Sequence, residues 1–207
     1  MLSLYDLSKN FGSFTAVNNI SLEVNSGEIF SFLGTNGAGK GATVDYLVTK
    51  GLIHYSVRDE LTKLLEKEGV FVDRSALRAK ANELRKEHGA DYLARLMYQR
   101  VVQNGSPSAV IESIRTTSEA EYLQSQGAFI IALDAERRKR YERIKGRMSR
   151  TDFVDFATFI EQEEREWHGA EGSHDMNIMR VFDIADYRIE NNGTLGELHS
   201  AIEKVFQ

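Results

Sequence analysis

The sequence predicts an α/β fold in which a parallel β-sheet lies between two layers of helices. Apolar runs of strand length alternate with helical patterns along most of the chain. The longest apolar runs are continuous rather than alternating, which is typical of parallel strands that are buried on both faces. A glycine-rich loop also connects one of these runs to a helix, as in open α/β sheets that bind ligands at the carboxyl ends of their strands.

The bulk composition is that of one globular domain of ordinary size. The chain has 207 residues, of which 42% are hydrophobic and 28% are charged, and its net charge is −5. This acidic balance argues against a nucleic-acid partner, and no apolar run is long enough for a membrane span. The sequence contains no cysteine, which excludes disulfides and thiolate metal sites and fits a cytoplasmic enzyme. We therefore expect a cytoplasmic protein that binds neither nucleic acid nor membrane.

Strands and helices can be predicted in order along the whole chain. Residues 1–27 predict two short strands separated by Gly12-Ser13. The run EIFSFLG then predicts a central buried strand, and a helix follows the glycine-rich loop. Further strands are predicted at LIHYSV, SAVIESI, AFIIALDA and DYRIENN, and further helices at RDELTKLLEKEG, at about 75–88, 91–104, 118–126 and 136–147, and at TLGELHSAIEKVF. Thr194 and Glu197 have the spacing of a capping box for the last helix.

The stretch GTNGAGK fits the phosphate-binding loop pattern, in which glycines let backbone N–H groups surround a phosphate at a helix N-terminus. Lys40 ends this stretch and is expected to reach the β- and γ-phosphates of a nucleotide. A glycine-rich turn without a ligand is the weaker alternative, because strand, spacing and lysine are all present. The predicted nucleotide-binding residues are Gly34, Thr35, Asn36, Gly37, Ala38, Gly39, Lys40, Gly41, Ala42 and Thr43.

The residues after the lysine depart from the usual pattern, in which a serine or threonine hydroxyl helps to hold Mg²⁺. Gly41 and Ala42 carry no hydroxyl, and Thr43 comes one residue later. The loop resembles that of nucleoside-monophosphate kinases, where a glycine and then a threonine follow the lysine. In that pattern Gly41 is normal and Ala42 is the departure, so we expect weakened metal affinity or turnover unless Thr43 or water compensates.

From about residue 28 to its end, the chain resembles the nucleotide-kinase branch of P-loop NTPases, closest to the dephospho-CoA-kinase-like and adenylate-kinase-like members. The segments that carry the resemblance are HYSVRDEL, ANELRKEHG, VIESIRT, LDAERRKRYERIKGR and ADYRIENNGTLGELHSAIEKV. The resemblance implies a kinase domain over residues 28–207 with a helical lid at about 149–175. It also implies ATP and Mg²⁺ as cofactors and a nucleotide-like small-molecule acceptor.

The resemblance places acceptor and metal residues after two of the predicted strands. Glu112 stands where such kinases carry an aspartate near Mg²⁺ and the acceptor, and Arg115 resembles the arginine that grips the acceptor phosphate. Arg58 and Asp59 follow the preceding strand, where Arg58 is expected to contact the acceptor and Asp59 to orient or deprotonate its attacking oxygen. The alternatives are a surface carboxylate for Glu112, a solvated arginine for Arg115 and a helix cap for Asp59.

The basic run ERRKRYERIKGRMSR corresponds to the base of the lid in these kinases. Arg140, Arg143 and Arg147 have helical spacing, which predicts one shared face opposite Tyr141, Ile144 and Met148. The resemblance implies that Arg143 and Arg147 neutralise charge on the transferring phosphoryl group, whereas Arg137, Arg138 and Lys139 are expected to be solvated.

Two further features lie in or after the lid. The loop NNGT resembles the segment that reads the adenine edge, which implies a role for Asn192 and Gly193, with a simple helix-start turn as the alternative. His168 and His174 are expected to be exposed to solvent rather than bound to a metal.

Residues 1–40 resemble the opening of ABC-transporter ATPases, whose early strands form an antiparallel flap. In that class an aromatic residue at the position of Phe11 stacks on adenine; an ordinary core aromatic is the alternative. The later ABC motifs are absent from the sequence, so transport is not expected. The two resemblances meet at the phosphate loop and suggest a natural or engineered chimera, which leaves a P-loop protein that binds ATP with little catalysis as the alternative function.

Overall fold

The structure is a computed structural model that describes residues 2–11, 14–24, 29–106, 108–146, 155–168 and 177–205, with residues 2–24 described by their backbone alone. Strands β1 (Leu2–Phe11) and β2 (Phe14–Val24) form an antiparallel hairpin. Its register pairs Leu2 with Val24 at the open end and Phe11 with Phe14 at the turn. The two predicted N-terminal strands are thus confirmed.

A five-stranded parallel sheet forms the centre of the fold. Its strands are β3 (Ile29–Gly34), β4 (Ile53–Ser56), β5 (Ala109–Glu112), β6 (Phe129–Asp134) and β7 (Tyr187–Glu190). They lie in the order β4-β5-β3-β6-β7, and each neighbouring pair is parallel. The predicted central strand β3 therefore lies in the middle of the sheet, and the phosphate loop that follows it lies between the carboxyl ends of β5 and β6.

Nine helices connect the strands in the described part of the chain. They are α1 (Lys40–Thr49), α2 (Val57–Lys67), α3 (Arg74–His88), α4 (Tyr92–Gln103), α5 (Thr117–Ser125), α6 (Arg137–Gly146), α7 (Phe156–His168), α8 (Ile178–Ile184) and α9 (Leu195–Val205). Polar caps fix several starting points: the side chain of Asp73 accepts the N–H of Ala76 at 2.8 Å, and Thr116 and Glu119 form a capping box at α5. None of the described helices is both long and apolar enough to cross a membrane.

The alternating side chains of β3 show how the sheet separates two apolar clusters. Ile29 and Leu33 belong to a cluster that includes residues of α2, α3, α4, α5 and α8, whereas Phe30 and Phe32 belong to a cluster with residues of α1 and α9. All four side chains are buried. The helices therefore cover both faces of a parallel sheet, and the predicted α/β fold is confirmed.

Residues 149–175 are the segment predicted to form a helical lid. Its described part includes the helix α7, which covers residues 156–168. Phe156 and Phe159 of α7 lie against Tyr141 of α6, with ring centroids 5.1 and 5.5 Å away. Trp167 lies against Phe182 of α8, a helix that the sequence patterns did not predict. Aromatic contacts to two other helices therefore hold α7 in place.

Candidate nucleotide site

The phosphate loop joins β3 to α1 and requires glycine at two positions. Gly37 has φ +83° and Gly39 has φ +110°, both in the left-handed region that favours glycine. A Cβ on Gly37 would lie 2.4 Å from the carbonyl oxygen of Arg140, and one on Gly39 would lie 2.4 Å from Nδ2 of Asn191. The loop therefore packs closely against α6 on one side and against the residue after β7 on the other.

Side chains at the carboxyl ends of β6 and β7 hold the loop in place. Nδ2 of the buried Asn191 donates to the carbonyl oxygen of Ala38 at 2.8 Å. Oγ1 of Thr35 donates to Oδ1 of Asp134 at 3.2 Å. The sequence patterns did not single out Asn191 or Asp134, and the available signal was a polar residue at the carboxyl end of a predicted strand.

Lys40 lies at the loop with its ammonium against the main chain. Nζ donates to the carbonyl oxygens of Gly34 at 2.7 Å and Thr35 at 3.0 Å. The charge of Lys40 also helps to lower the pKa of Glu112 at the end of β5. Lys40 therefore lies close enough to Glu112 for the two charges to interact.

Glu112 is a largely buried carboxylate among cationic groups. Its Oε2 lies 3.3 Å from Nε2 of His54 on the neighbouring strand β4. Burial alone raises the pKa of Glu112, but the hydrogen bond from His54 and the charges of Lys40 and Arg115 outweigh it and lower the pKa below its ordinary value. An ionised carboxylate beside the phosphate loop is suited to a cation. His54 was missed in the sequence, where only its place near the end of a strand pointed to the site.

Thr43, the other predicted metal ligand, is placed less favourably. It is fully buried, and its hydroxyl donates to the carbonyl oxygen of Gly39 at 3.2 Å inside the first turn of α1. Ala42 packs against the apolar cluster of α1 and α9. Gly41 is exposed, and a Cβ placed on it would meet no atom within 4 Å. Position 41 is therefore where the helix has room for a hydroxyl.

The two predicted acceptor residues after β4 lie in the first turn of α2. Arg58 and Asp59 are both exposed there. The cap of this helix is Ser56, whose hydroxyl accepts the N–H of Asp59 at 3.2 Å. The alternative reading of Asp59 as the helix cap is therefore wrong, because Ser56 occupies that position, and the carboxylate of Asp59 is not used for capping.

Arg143 links the phosphate loop to the loop after β7. Its Nη1 lies 3.4 Å from the carbonyl oxygen of Gly37, and its Nη2 lies 3.4 Å from that of Gly193. Lys139 Nζ donates to the carbonyl oxygen of Asn192 at 2.6 Å, so α6 contacts this second loop twice. The loop predicted to read adenine therefore lies beside the phosphate loop.

Three other predicted residues of the lid and its base lie outside what is described. Arg147 and His174 lie outside the described residues, and so does the side chain of His168. Among the described side chains, no group of three His, Asp or Glu is arranged as a metal centre.

The spacing of Arg140 predicted that it shares a face of α6 with Arg143, and this prediction is wrong. Arg140 is 3% exposed and lies against α7, where Nη2 donates to Oε2 of Glu163 at 3.0 Å. Its Nε donates to the carbonyl oxygen of Ala135 at 2.6 Å. The burial of this charged group is possible because Glu163, itself 5% exposed, supplies the opposite charge. The described part of the predicted lid is thus tied to α6 by an ion pair.

The chain is similar to several archaeal proteins of unassigned function. It is 27% identical over 183 residues to a UPF0200 protein of Methanococcus maripaludis strain C6, covering 87% of this chain and 96% of that protein. It is 29% identical over 180 residues to a UPF0200 protein of Thermococcus kodakarensis, covering 83% and 92%. No protein-family model matches the chain.

Solved structures with the same fold include kinases. TT1252 from Thermus thermophilus superposes with a TM-score of 0.54 at 18% identity, covering 86% of this chain and 95% of that one. Shikimate kinase from Acinetobacter baumannii in complex with shikimate gives a TM-score of 0.52 at 13% identity, covering 86% and 91%. A putative kinase from Chloroflexus aurantiacus gives 0.51 at 14%, covering 88% and 97%.

These comparisons support a P-loop kinase-like fold for the chain. They give no support to the ABC-type resemblance of residues 1–40 or to a chimeric origin.

Proposed function

We propose that the chain is an ATP-dependent kinase that transfers the γ-phosphoryl group to a nucleotide-like small molecule, such as a nucleoside monophosphate or dephospho-CoA. The observation that carries this proposal is that Lys40 and Arg143 contact one phosphate loop, while Glu112 ends the strand β5 that pairs with the strand before this loop. Lys40 and Arg143 both contact loop carbonyls, and Lys40 lies close enough to Glu112 to lower its pKa. The kinase-like fold of the solved neighbours agrees with it.

The reaction asks for positioning and charge stabilisation more than for covalent chemistry by the protein. An acceptor oxygen attacks the γ-phosphorus, a new P–O bond forms, and the bond to the β–γ bridging oxygen breaks so that ADP leaves. Lys40 and the loop N–H groups hold the phosphates. Arg143 and Arg147 neutralise negative charge on the transferring phosphoryl group. Asn192 and Gly193 border the adenine.

In this proposal, residues at the carboxyl ends of β4 and β5 bind the acceptor and the metal. Arg58 and Arg115 hold the acceptor's anionic group, since a guanidinium binds phosphate with two parallel hydrogen bonds. Asp59 orients the attacking oxygen. Bound Mg²⁺ neutralises phosphate charge, and it usually keeps several waters and takes one or two protein carboxylates. Glu112 fits that part better than Thr43, whose hydroxyl is bonded inside its helix.

A second candidate function is nucleotide binding without transfer. The buried hydroxyl of Thr43 favours it, because Gly41 and Ala42 supply no hydroxyl in its place. The two functions differ in one product, the phosphorylated acceptor.

The test is an acceptor screen with the full chain, ATP and Mg²⁺. AMP, CMP, UMP, GMP, dephospho-CoA and shikimate are each added, and ADP and the phosphorylated product are measured together. Acceptor-dependent formation of both in equal amounts supports the kinase. Tight ATP binding with no product from any acceptor supports the binding protein instead.

A further inference from the structure

The most deeply buried charged groups among the described residues lie outside the nucleotide site. Arg85 on α3 is 1% exposed and Glu119 on α5 is fully buried. Nε and Nη2 of Arg85 lie 2.9 and 2.8 Å from the same oxygen of Glu119, Oε1. Burying two charges is costly even when they are paired, so a pair of this kind is weak evidence for stabilisation and calls for another role.

The second oxygen of Glu119 supplies that role. Oε2 accepts the N–H of Arg115 at 2.7 Å and the N–H of Thr116 at 3.1 Å. On the other side, the carbonyl oxygen of Arg115 accepts the N–H of Asn177 at 3.3 Å. The main chain of Arg115 is therefore held at both its N–H and its carbonyl group.

The turn that contains Arg115 needs to be held. Ser113 has φ +74°, a left-handed conformation that costs a residue with a Cβ about 1 kcal/mol or more. It lies directly after Glu112, so its conformation sets the direction of the chain from Glu112 to Arg115. Strained backbone of this kind persists only where its surroundings fix it. The hydroxyl of Thr116 adds a further restraint by donating to the carbonyl oxygen of Ala90 at 3.1 Å.

We propose that Arg85 is a positioning residue for the acceptor. It orients the carboxylate of Glu119, which fixes the turn over residues 113–116 and so presents Arg115 beside Glu112. Arg115 then meets the anionic group of the acceptor. This inference rests on the proposed function of Arg115, whereas the restraint on the turn rests on the contacts alone.

The capping box of α5 is complete without Arg85, so Arg85 must have another role. Glu119 and Thr116 satisfy the box between themselves. The box does not need a buried cation, and a carboxylate placed here without one would bear the full cost of desolvation. Arg85 therefore holds the carboxylate of Glu119 in one orientation, in which its second oxygen faces the two N–H groups of the turn.

The experiment uses the full chain with Arg85→Lys, which keeps the charge and loses the forked geometry. Arg100→Lys is the matched control, because Arg100 Nη2 also lies 2.8 Å from a glutamate, Glu60, but at the surface. A double variant, Arg85→Met with Glu119→Gln, removes both charges and keeps an oxygen for the two N–H groups, so it guards against a simple failure to fold.

Two readouts are compared: amide hydrogen exchange by NMR, and KM for the acceptor and for ATP in the acceptor screen. We expect Arg85→Lys to speed exchange at Arg115 and Thr116 and to raise the acceptor KM by about tenfold, because small displacements of a binding group are costly. The KM for ATP stays unchanged. The control changes neither quantity, and the double variant folds with a raised acceptor KM.

Unchanged exchange and unchanged acceptor KM in Arg85→Lys overturn the proposal. A variant with lower thermal stability, lower kcat and raised KM values for both acceptor and ATP also overturns it. That pattern marks a purely structural pair. If the wild-type chain transfers to no acceptor, the proposed function fails and the acceptor role of Arg85 falls with it. The exchange rates then still decide whether Arg85 holds the turn.

Discussion

Nη1 of Arg143 lies 3.4 Å from the carbonyl oxygen of Gly37, in the middle of the phosphate loop. The same guanidinium reaches Gly193 on the far side. One side chain of α6 thus contacts both loops that border the nucleotide in the proposed site. In the proposed reaction, its guanidinium stabilises negative charge on the phosphoryl group during transfer.

Replacing Arg143 with alanine should lower kcat by about a hundredfold, the usual effect of removing one group that stabilises transition-state charge. Lys145→Ala is the matched control, since Lys145 is an exposed cation on the same helix. Steady-state kinetics on both variants checks this. Equal turnover in Arg143→Ala and Lys145→Ala would remove Arg143 from the mechanism.

Alanine at two glycines of one loop should have opposite effects. Gly37→Ala should destabilise the fold by more than about 1 kcal/mol, because its φ is left-handed and the new Cβ would meet the carbonyl oxygen of Arg140. Gly41→Ala should stabilise it slightly, because Gly41 lies in α1 with open space around it and alanine is the better helix former. Denaturant unfolding measures both, and a similar loss in the two variants would contradict the loop geometry.

The open space at Gly41 also allows a test of the missing hydroxyl. Gly41→Ser should fold normally and should tighten the Mg²⁺ dependence of ATP binding, because it restores the group that usually helps to hold the metal. Titration of Mg²⁺ at a fixed ATP concentration measures this, with Gly41→Ala as the control. An unchanged Mg²⁺ midpoint would show that the hydroxyl is not what the site lacks.

The stability of the fold should depend on pH through a histidine of α9 that packs against α1. His199 stacks on Tyr46 with ring centroids 4.0 Å apart. Burial lowers the pKa of His199 and Lys50 adds to this effect, while Glu203 opposes it. A histidine with a lowered pKa stabilises the fold fully above its ordinary value of 6.5 and loses that contribution as the pH falls through the lower folded value.

Melting temperatures should therefore fall as the pH drops below 6.5. His199→Phe keeps the stacked ring and removes the proton site, so its melting temperature should fall less over the same range. His88→Phe, at an exposed histidine, should keep the slope of the wild type. Identical slopes in all three proteins would contradict the assignment to His199.

Residues 28–207 should bind ATP without the N-terminal hairpin. The five-stranded sheet begins at Ile29, and every residue placed in the nucleotide site follows it. Calorimetry should give the shortened chain the same affinity for ATP as the full chain. A large loss of affinity in a folded, shortened chain would give the hairpin a part in nucleotide binding.

Much of the fold could be predicted from the sequence, because local chemistry decided it. The apolar run before Gly34 could only be a strand buried on both faces, and the glycines after it required a tight loop. The spacing of Thr194 and Glu197 gave the start of α9, where the capping bonds are present. The start of α2 was harder, since Ser56 and Asp59 are both good caps and the structure selects Ser56.

The site could be predicted only in part, because its remaining members act through tertiary contacts. The spacing of Arg140 predicted a face shared with Arg143 and Arg147, and that spacing does not reveal the ion pair with Glu163 of α7 that explains its burial. Asn191 meets the loop 153 positions earlier in the chain. The spacing of residues along one helix carries no information about such partners. The helix α8 was missed for the same reason, since the contact of its Phe182 with Trp167 of α7 cannot be read from the local sequence pattern.

The most direct test of the account is phosphoryl transfer by Lys40→Ala beside the wild-type chain. Both are incubated with ATP labelled at the γ-phosphate and with the acceptors of the screen, and circular dichroism and melting curves check the fold. We predict labelled acceptor from the wild type and none from Lys40→Ala, with the fold of the variant intact. Undiminished transfer by a folded Lys40→Ala would contradict the account, because no phosphate-loop kinase mechanism would then remain.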